Sequence, residues 1–174
     1  MRSLRFETTL LAAAALSLAA ATALAQGESL EGTYQLTIDG EAAQQRIERA
    51  IESATDDMGP LRETIAANRL EDRNPAIDWL TIDLREDTIW IRYGDESFDL
   101  PRGHFGDVPV PGGETAQARA RIRGGTLLVD WRMEDGRRHD VFELNGDTLQ
   151  LTLRTTSEKL PDDVQYLLPF RRSS

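Results

Sequence analysis

Few side chains in this 174-residue sequence are of the kinds that do chemistry. There is no cysteine, and the two histidines are His104 and His139. Past residue 25 the serines are Ser29, Ser53, Ser97, Ser157, Ser173 and Ser174. A nucleophilic serine needs a partner base and a sharp exposed turn of the Gly-x-Ser-x-Gly kind, and none of these has that setting. His104 follows Pro101 and Gly103 and precedes Gly106, in a segment without apolar alternation. It reads as an exposed loop residue rather than a general base. His139 follows Arg137 and Arg138, whose charges repel a metal ion, and no second imidazole stands two or four residues away. Asp56-Asp57 and Asp162-Asp163 lack the spacing of a calcium loop and read as turn and cap residues. Gly112-Gly113 and Gly124-Gly125 are followed by no Lys-Ser/Thr and open no helix, so they are not phosphate loops. The sequence thus predicts no catalytic residue, no metal and no cofactor.

The aromatic residues are better organised. From residue 77 to 172 apolar and polar residues alternate, and turn dipeptides interrupt them at short intervals. The clearest stretch is 126–133, then Glu134-Asp135-Gly136, then 138–144, then Asn145-Gly146, then 149–153. Period-two alternation buries one face of each strand, and Asp-Gly and Asn-Gly supply the positive φ of tight hairpins. Consecutive hairpins with one common apolar face close into a barrel or fold into a sandwich. Tyr34, Ile91, Tyr93, Trp131, Phe142 and Tyr166 all fall on apolar faces. Pointing inward, they surround one interior and line a ligand site if the barrel is wide enough. Packed against one another they make a dry core instead. Ala116, Ala118 and Ala120 form a wall of small residues that leaves room for a ligand or seats a helix.

A first strand over 30–38 puts Tyr34, Leu36 and Ile38 on one face. Residues 41–57 then switch to helical spacing, with Ala43, Ile47, Ala50, Ile51, Ala54 and Met58 on one stripe and Asp39 as the cap. Gly59-Pro60 breaks this helix, and 61–70 forms a shorter one with Leu61, Ile65 and Leu70 facing in. The Pro- and Gly-rich stretch 101–113 reads as the longest loop. Pro169, inside a last strand over 164–171, suits an edge or a bulge. The fold expected is mainly β: an antiparallel barrel of about 8–10 strands, with a helix pair between the first and second.

Residues 1–25 carry Arg2 and Arg5, an Ala- and Leu-rich run and Ala23-Leu24-Ala25, the pattern of a secretory signal peptide cleaved before Gln26. Export without cysteine points to a bacterial periplasmic or secreted protein, with one domain over 26–174 and no membrane insertion once the signal is removed. A net charge of −10 disfavours nucleic acid and anionic lipid surfaces as partners.

One strand, a helix pair and a long meander resemble the layout of fatty-acid-binding proteins. Gly32-Thr33-Tyr34 resembles the Gly-x-Trp of lipocalins, and Arg171 or Arg172 the late arginine that packs on that aromatic. The resemblance implies a calycin-like barrel. The function expected is non-enzymatic binding of a small apolar or amphipathic molecule inside it. The alternative is an envelope interaction module with a packed core.

Overall fold

A computed structural model describes residues 30–74 and 76–173. The proposed signal segment lies outside them. Ten strands form one antiparallel sheet in the order β4-β3-β2-β1-β10-β9-β8-β7-β6-β5, curled into a nearly closed barrel. They are β1 (Gly32–Leu36), β2 (Trp79–Leu84), β3 (Thr88–Tyr93), β4 (Glu96–Pro101), β5 (Gly106–Pro109), β6 (Thr115–Arg123), β7 (Thr126–Met133), β8 (Gly136–Asn145), β9 (Thr148–Thr156) and β10 (Val164–Arg172). The last strand returns to pair with the first, so only β4 and β5 keep open edges. Even there the isolated bridge Arg102–Ala120 ties the two sides together. Two helices, α1 (Gly40–Thr55) and α2 (Pro60–Arg73), lie between β1 and β2.

Local chemistry accounts for most of these elements. Asp39 caps α1 by accepting the Ala42 amide at 2.7 Å. Pro60 begins α2, where its missing amide hydrogen costs nothing. The apolar stripe of α1 is buried at Ala43, Ile47, Ile51 and Ala54, and the helix seats against β10. Gly146 takes the positive φ, 60°, that its hairpin needs. Gly136 does not: it is already in β8, where an added Cβ would run into the Thr156 carbonyl of β9. That hairpin selects glycine for close backbone approach.

Three expectations are corrected. The stretch 101–113 is not one loop, because β5 forms inside it and pairs with β6 from Gly106–Ala118 to Pro109–Thr115. Pro169 is in the interior of the sheet, opposite Gln150, with its carbonyl accepting both the amide and the hydroxyl of Thr37. Leu61 and Ile65 do not face the core; they are 76% and 47% exposed. The reason is that α2 packs on α1 and spans the mouth of the barrel, so only Ala67 and Leu70 reach the core.

The join of the barrel is held by Arg172. Its guanidinium donates to the Glu31 carbonyl at 2.8 Å and to the Tyr34 hydroxyl at 2.9 Å, and stacks 5.2 Å from the Tyr34 ring. The Tyr34 hydroxyl in turn donates to the Leu30 carbonyl at 2.9 Å. Gly32 has φ 145° and lies so close that a Cβ there would meet Arg172 at 3.3 Å.

On the outside of β6–β8, Asp130 is almost buried. It accepts Arg119 Nε at 2.7 Å, an Arg121 terminal nitrogen at 2.6 Å and His139 Nδ1 at 2.7 Å. Burial alone would raise its pKa, but the hydrogen bonds from Arg119 and His139 and the arginine charges outweigh this and hold it below the usual carboxylate range. A carboxyl whose folded pKa is depressed contributes stability above its unfolded pKa and loses it as pH falls through the folded value. Acid unfolding of the wild type should therefore begin below about pH 4, and Asp130→Asn should flatten that part of the profile, read by circular dichroism. An unchanged acid limb in the variant would mean the cluster is not coupled to folding.

Candidate ligand site

Inward positions of β8 are Arg138, Asp140, Phe142 and Leu144, since strand parity sends every second residue to the interior. Two of these four are ionised groups. Asp140 is fully buried, and its carboxylate accepts Arg138 Nε at 2.7 Å, the Tyr93 hydroxyl at 2.9 Å and Trp131 Nε1 at 3.3 Å. A buried carboxylate persists only when paired and hydrogen-bonded, and here β3, β7 and β8 each supply a donor. Burial opposes the charge on Arg138, and the Asp140 carboxylate outweighs it, so the guanidinium stays protonated. Burial, with the Asp140 charge second, raises the Tyr93 phenol well above its ordinary range. The Tyr93 phenol is thus a permanent donor.

The same layer fixes the lid. Tyr166 donates from β10 to Asn74 Oδ1 at 3.1 Å, and Asn74 Nδ2 donates back to the Leu70 carbonyl at 2.7 Å, closing the end of α2. Burial pushes the Tyr166 pKa up to about 12, so this tie survives at any physiological pH.

Between α2 and the β7–β8 and β9–β10 turns lies a pocket of about 300 Å³. Ile65, Leu70, Met133 and Leu160 give it apolar walls, and Arg62, Arg69 and Arg138 bring positive charge. Lys159 also borders it, paired with Asp135. About a fifth of the Arg138 side chain, 21%, remains exposed, so this residue joins the pocket to the interior layer.

Each aromatic or aliphatic residue expected to line a ligand space points inward: Tyr34, Ile91, Tyr93, Trp131, Phe142 and Tyr166 are all buried. They pack on one another and on Phe98, with Phe98–Trp131 ring centres 5.1 Å apart and Tyr93–Phe142 6.2 Å apart. None of the six lines the 300 Å³ pocket. The residues that do were not read as a site, apart from the general assignment of α2 as a lid. His104 is exposed, contacting only the Arg102 carbonyl at 3.2 Å. Among the described residues no group of His, Asp and Glu could hold a metal ion.

No protein-family model and no curated protein sequence matches the chain. Solved structures do match in shape. A secretory abundant heat soluble protein from Ramazzottius varieornatus aligns with a TM-score of 0.54 at 16% identity, over 83% of this chain and 96% of that one. Fatty-acid-binding protein 1 of Echinococcus granulosus gives 0.55 at 10% identity, over 84% and 99%. A fatty acid transporter, REP1-NXSQ, gives 0.52 at 13%, over 84% and 98%. The fold is the calycin-like barrel of the fatty-acid-binding proteins. Identities this low establish the fold alone. Within it, this calycin-like barrel places a buried Arg–Asp pair at the level of the mouth and a helix across it.

Proposed function

We propose that the protein binds a small apolar or amphipathic molecule at the mouth of its barrel, beneath α2, and does so after export. The observation that carries this reading is the pocket of about 300 Å³ between α2 and the two turns, apolar on its walls and bordered by arginines. Arg62 and Arg69 suit a polar or anionic head, and a tail running inward would pass Arg138 and meet Tyr93, Trp131, Phe142 and Tyr166, with Tyr34 and Ile91 deeper. Ile65 supports it further: an isoleucine about half exposed beside the pocket gains burial only when something covers it. The tight aromatic packing supports the other reading, an interaction module with a filled core.

Native mass spectrometry with dodecanoate and dodecanol separates the two. Binding of either, weakened roughly tenfold or more by Ile65→Asp, is the result expected from losing a buried aliphatic contact. Failure of both amphiphiles to bind at any concentration below their own aggregation would leave the filled-core module. Fractionation of cells expressing the tagged chain tests export.

A further inference from the structure

The outer wall of β6–β9 has a charge opposite to that of the chain as a whole. Cross-strand register places Arg119, Asp130, His139 and Arg154 in one row, and Gln117, Arg132, Arg137 and Thr156 in the next. The first row is neutralised. Asp130 takes Arg119, Arg121 and His139, and Asp163 takes Arg154 at 2.5 Å. The second row has no carboxylate.

Arg132 and Arg137 stand directly opposite each other on β7 and β8, both exposed. Like charges at directly opposed positions repel at a Cβ separation of about 5 Å. Among the described residues neither guanidinium forms an ion pair. Arg132 instead lies 3.8 Å over the Phe105 ring, which Arg119 also covers at 4.3 Å. Phe105 therefore holds one of the two repelling cations in place. Donors exceed acceptors here even inside the first row, where Arg121 Nε is buried without a partner. An open depression of about 660 Å³ beside Arg137 and Thr156 gives a ligand access. Of its four carboxylates, Asp163 is engaged by Arg154 and Asp135 by Lys159, leaving Glu134 and Glu158.

We propose that the row Gln117–Arg132–Arg137–Thr156 is a binding site for a phosphate-type anion, free or carried on a lipid headgroup, clamped between Arg132 and Arg137. Two forked guanidiniums match the oxygens of such a group, Thr156 and Gln117 offer neutral donors at the ends, and the anion cancels the repulsion between the arginines. The net charge of −10 governs approach from a distance, while within a Debye length, about 8–10 Å, the wall is what an anion meets. This site faces away from the barrel interior and does not depend on the ligand reading above.

The test uses the full exported chain. Calorimetric titration with inorganic phosphate, against chloride at matched ionic strength, is paired with co-sedimentation on phosphatidylcholine vesicles with and without phosphatidic acid. Phosphate-specific heat, or sedimentation that requires phosphatidic acid, supports the site, and which of the two occurs identifies the source of the anion. Arg132→Gln and Arg137→Gln should each weaken the response about tenfold. Arg92→Gln, an exposed arginine on β3 away from this wall, should leave it unchanged. Equal responses to phosphate and chloride without phosphatidic-acid dependence, or a response surviving in the Arg132→Gln/Arg137→Gln double variant, would overturn the proposal.

Discussion

Asp140→Ala is expected to destabilise the protein by about 3–5 kcal/mol, the range for removing one partner of a buried ion pair. The loss is large because three donors lose their acceptor at once: Arg138, Tyr93 and Trp131. Arg138 is then left as a mostly buried cation, with only the 21% of its side chain that faces the pocket still hydrated. Urea unfolding of the single variant gives the number, and a partner variant gives its meaning. Arg138→Met with Asp140→Leu removes both charges at similar volume and should return most of the stability, since desolvating an ion pair costs about what the pair regains. Two results would count against this view. A cost under about 1 kcal/mol for the single variant would mean the carboxylate is hydrated rather than buried. A double variant as unstable as the single would mean that Tyr93 and Trp131, not the charge on Arg138, set the cost.

That pair was legible in the sequence and was passed over for a physical reason. Residues 137–140, Arg-Arg-His-Asp, look like one polar block, and a block suggests solvent. Strand parity divides it. Phe142 was read as inward, and positions 138 and 140 share its face, while 137 and 139 share the other. The ionic layer follows from the same alternation that located the strand; only the habit of placing charge outside concealed it. The meander, the helix pair and the Asp39 cap were legible because each has a local signal: period two, period 3.6, and an acceptor at the start of a helix. β5 was not, because four residues between prolines and glycines carry too few alternations to stand out, and pairing with β6 alone makes them a strand. The orientation of α2 was hidden for the converse reason. Leu61 and Ile65 have the spacing of a core stripe, but the helix lies over an opening, so an apolar face that would be buried on a closed surface stays accessible.

The second large effect is expected at the join of the barrel. Arg172→Ala should cost about 2–3 kcal/mol, the scale of a charge-assisted hydrogen bond plus an unsatisfied buried hydroxyl and a lost cation–π contact. Three contacts go together: the Glu31 carbonyl, the Tyr34 hydroxyl and the Tyr34 ring. Lysine should not rescue it, because one ammonium cannot reach a carbonyl and a hydroxyl in fixed directions while stacking on the ring. Tyr34→Phe keeps the ring and the stacking and removes only the hydroxyl, so it should cost about 1 kcal/mol, less than Arg172→Ala. This ordering separates the arginine's roles: if both variants cost the same, the hydroxyl bond carries the interaction and the stacking adds nothing. The position of the contact gives it a further consequence. β1 and β10 are the sequence ends of the sheet, and their ladder has only the pairs Tyr34–Arg172, Gln35–Arg171 and Leu36–Phe170. A short ladder between distant segments gains few hydrogen bonds for the loop it closes, so it is the pairing most easily opened. Amide exchange in β1 should therefore accelerate in Arg172→Ala more than exchange in β7–β9, where each neighbouring pair shares eight or more residues. Uniform acceleration across all ten strands would show instead that the barrel opens only as a whole.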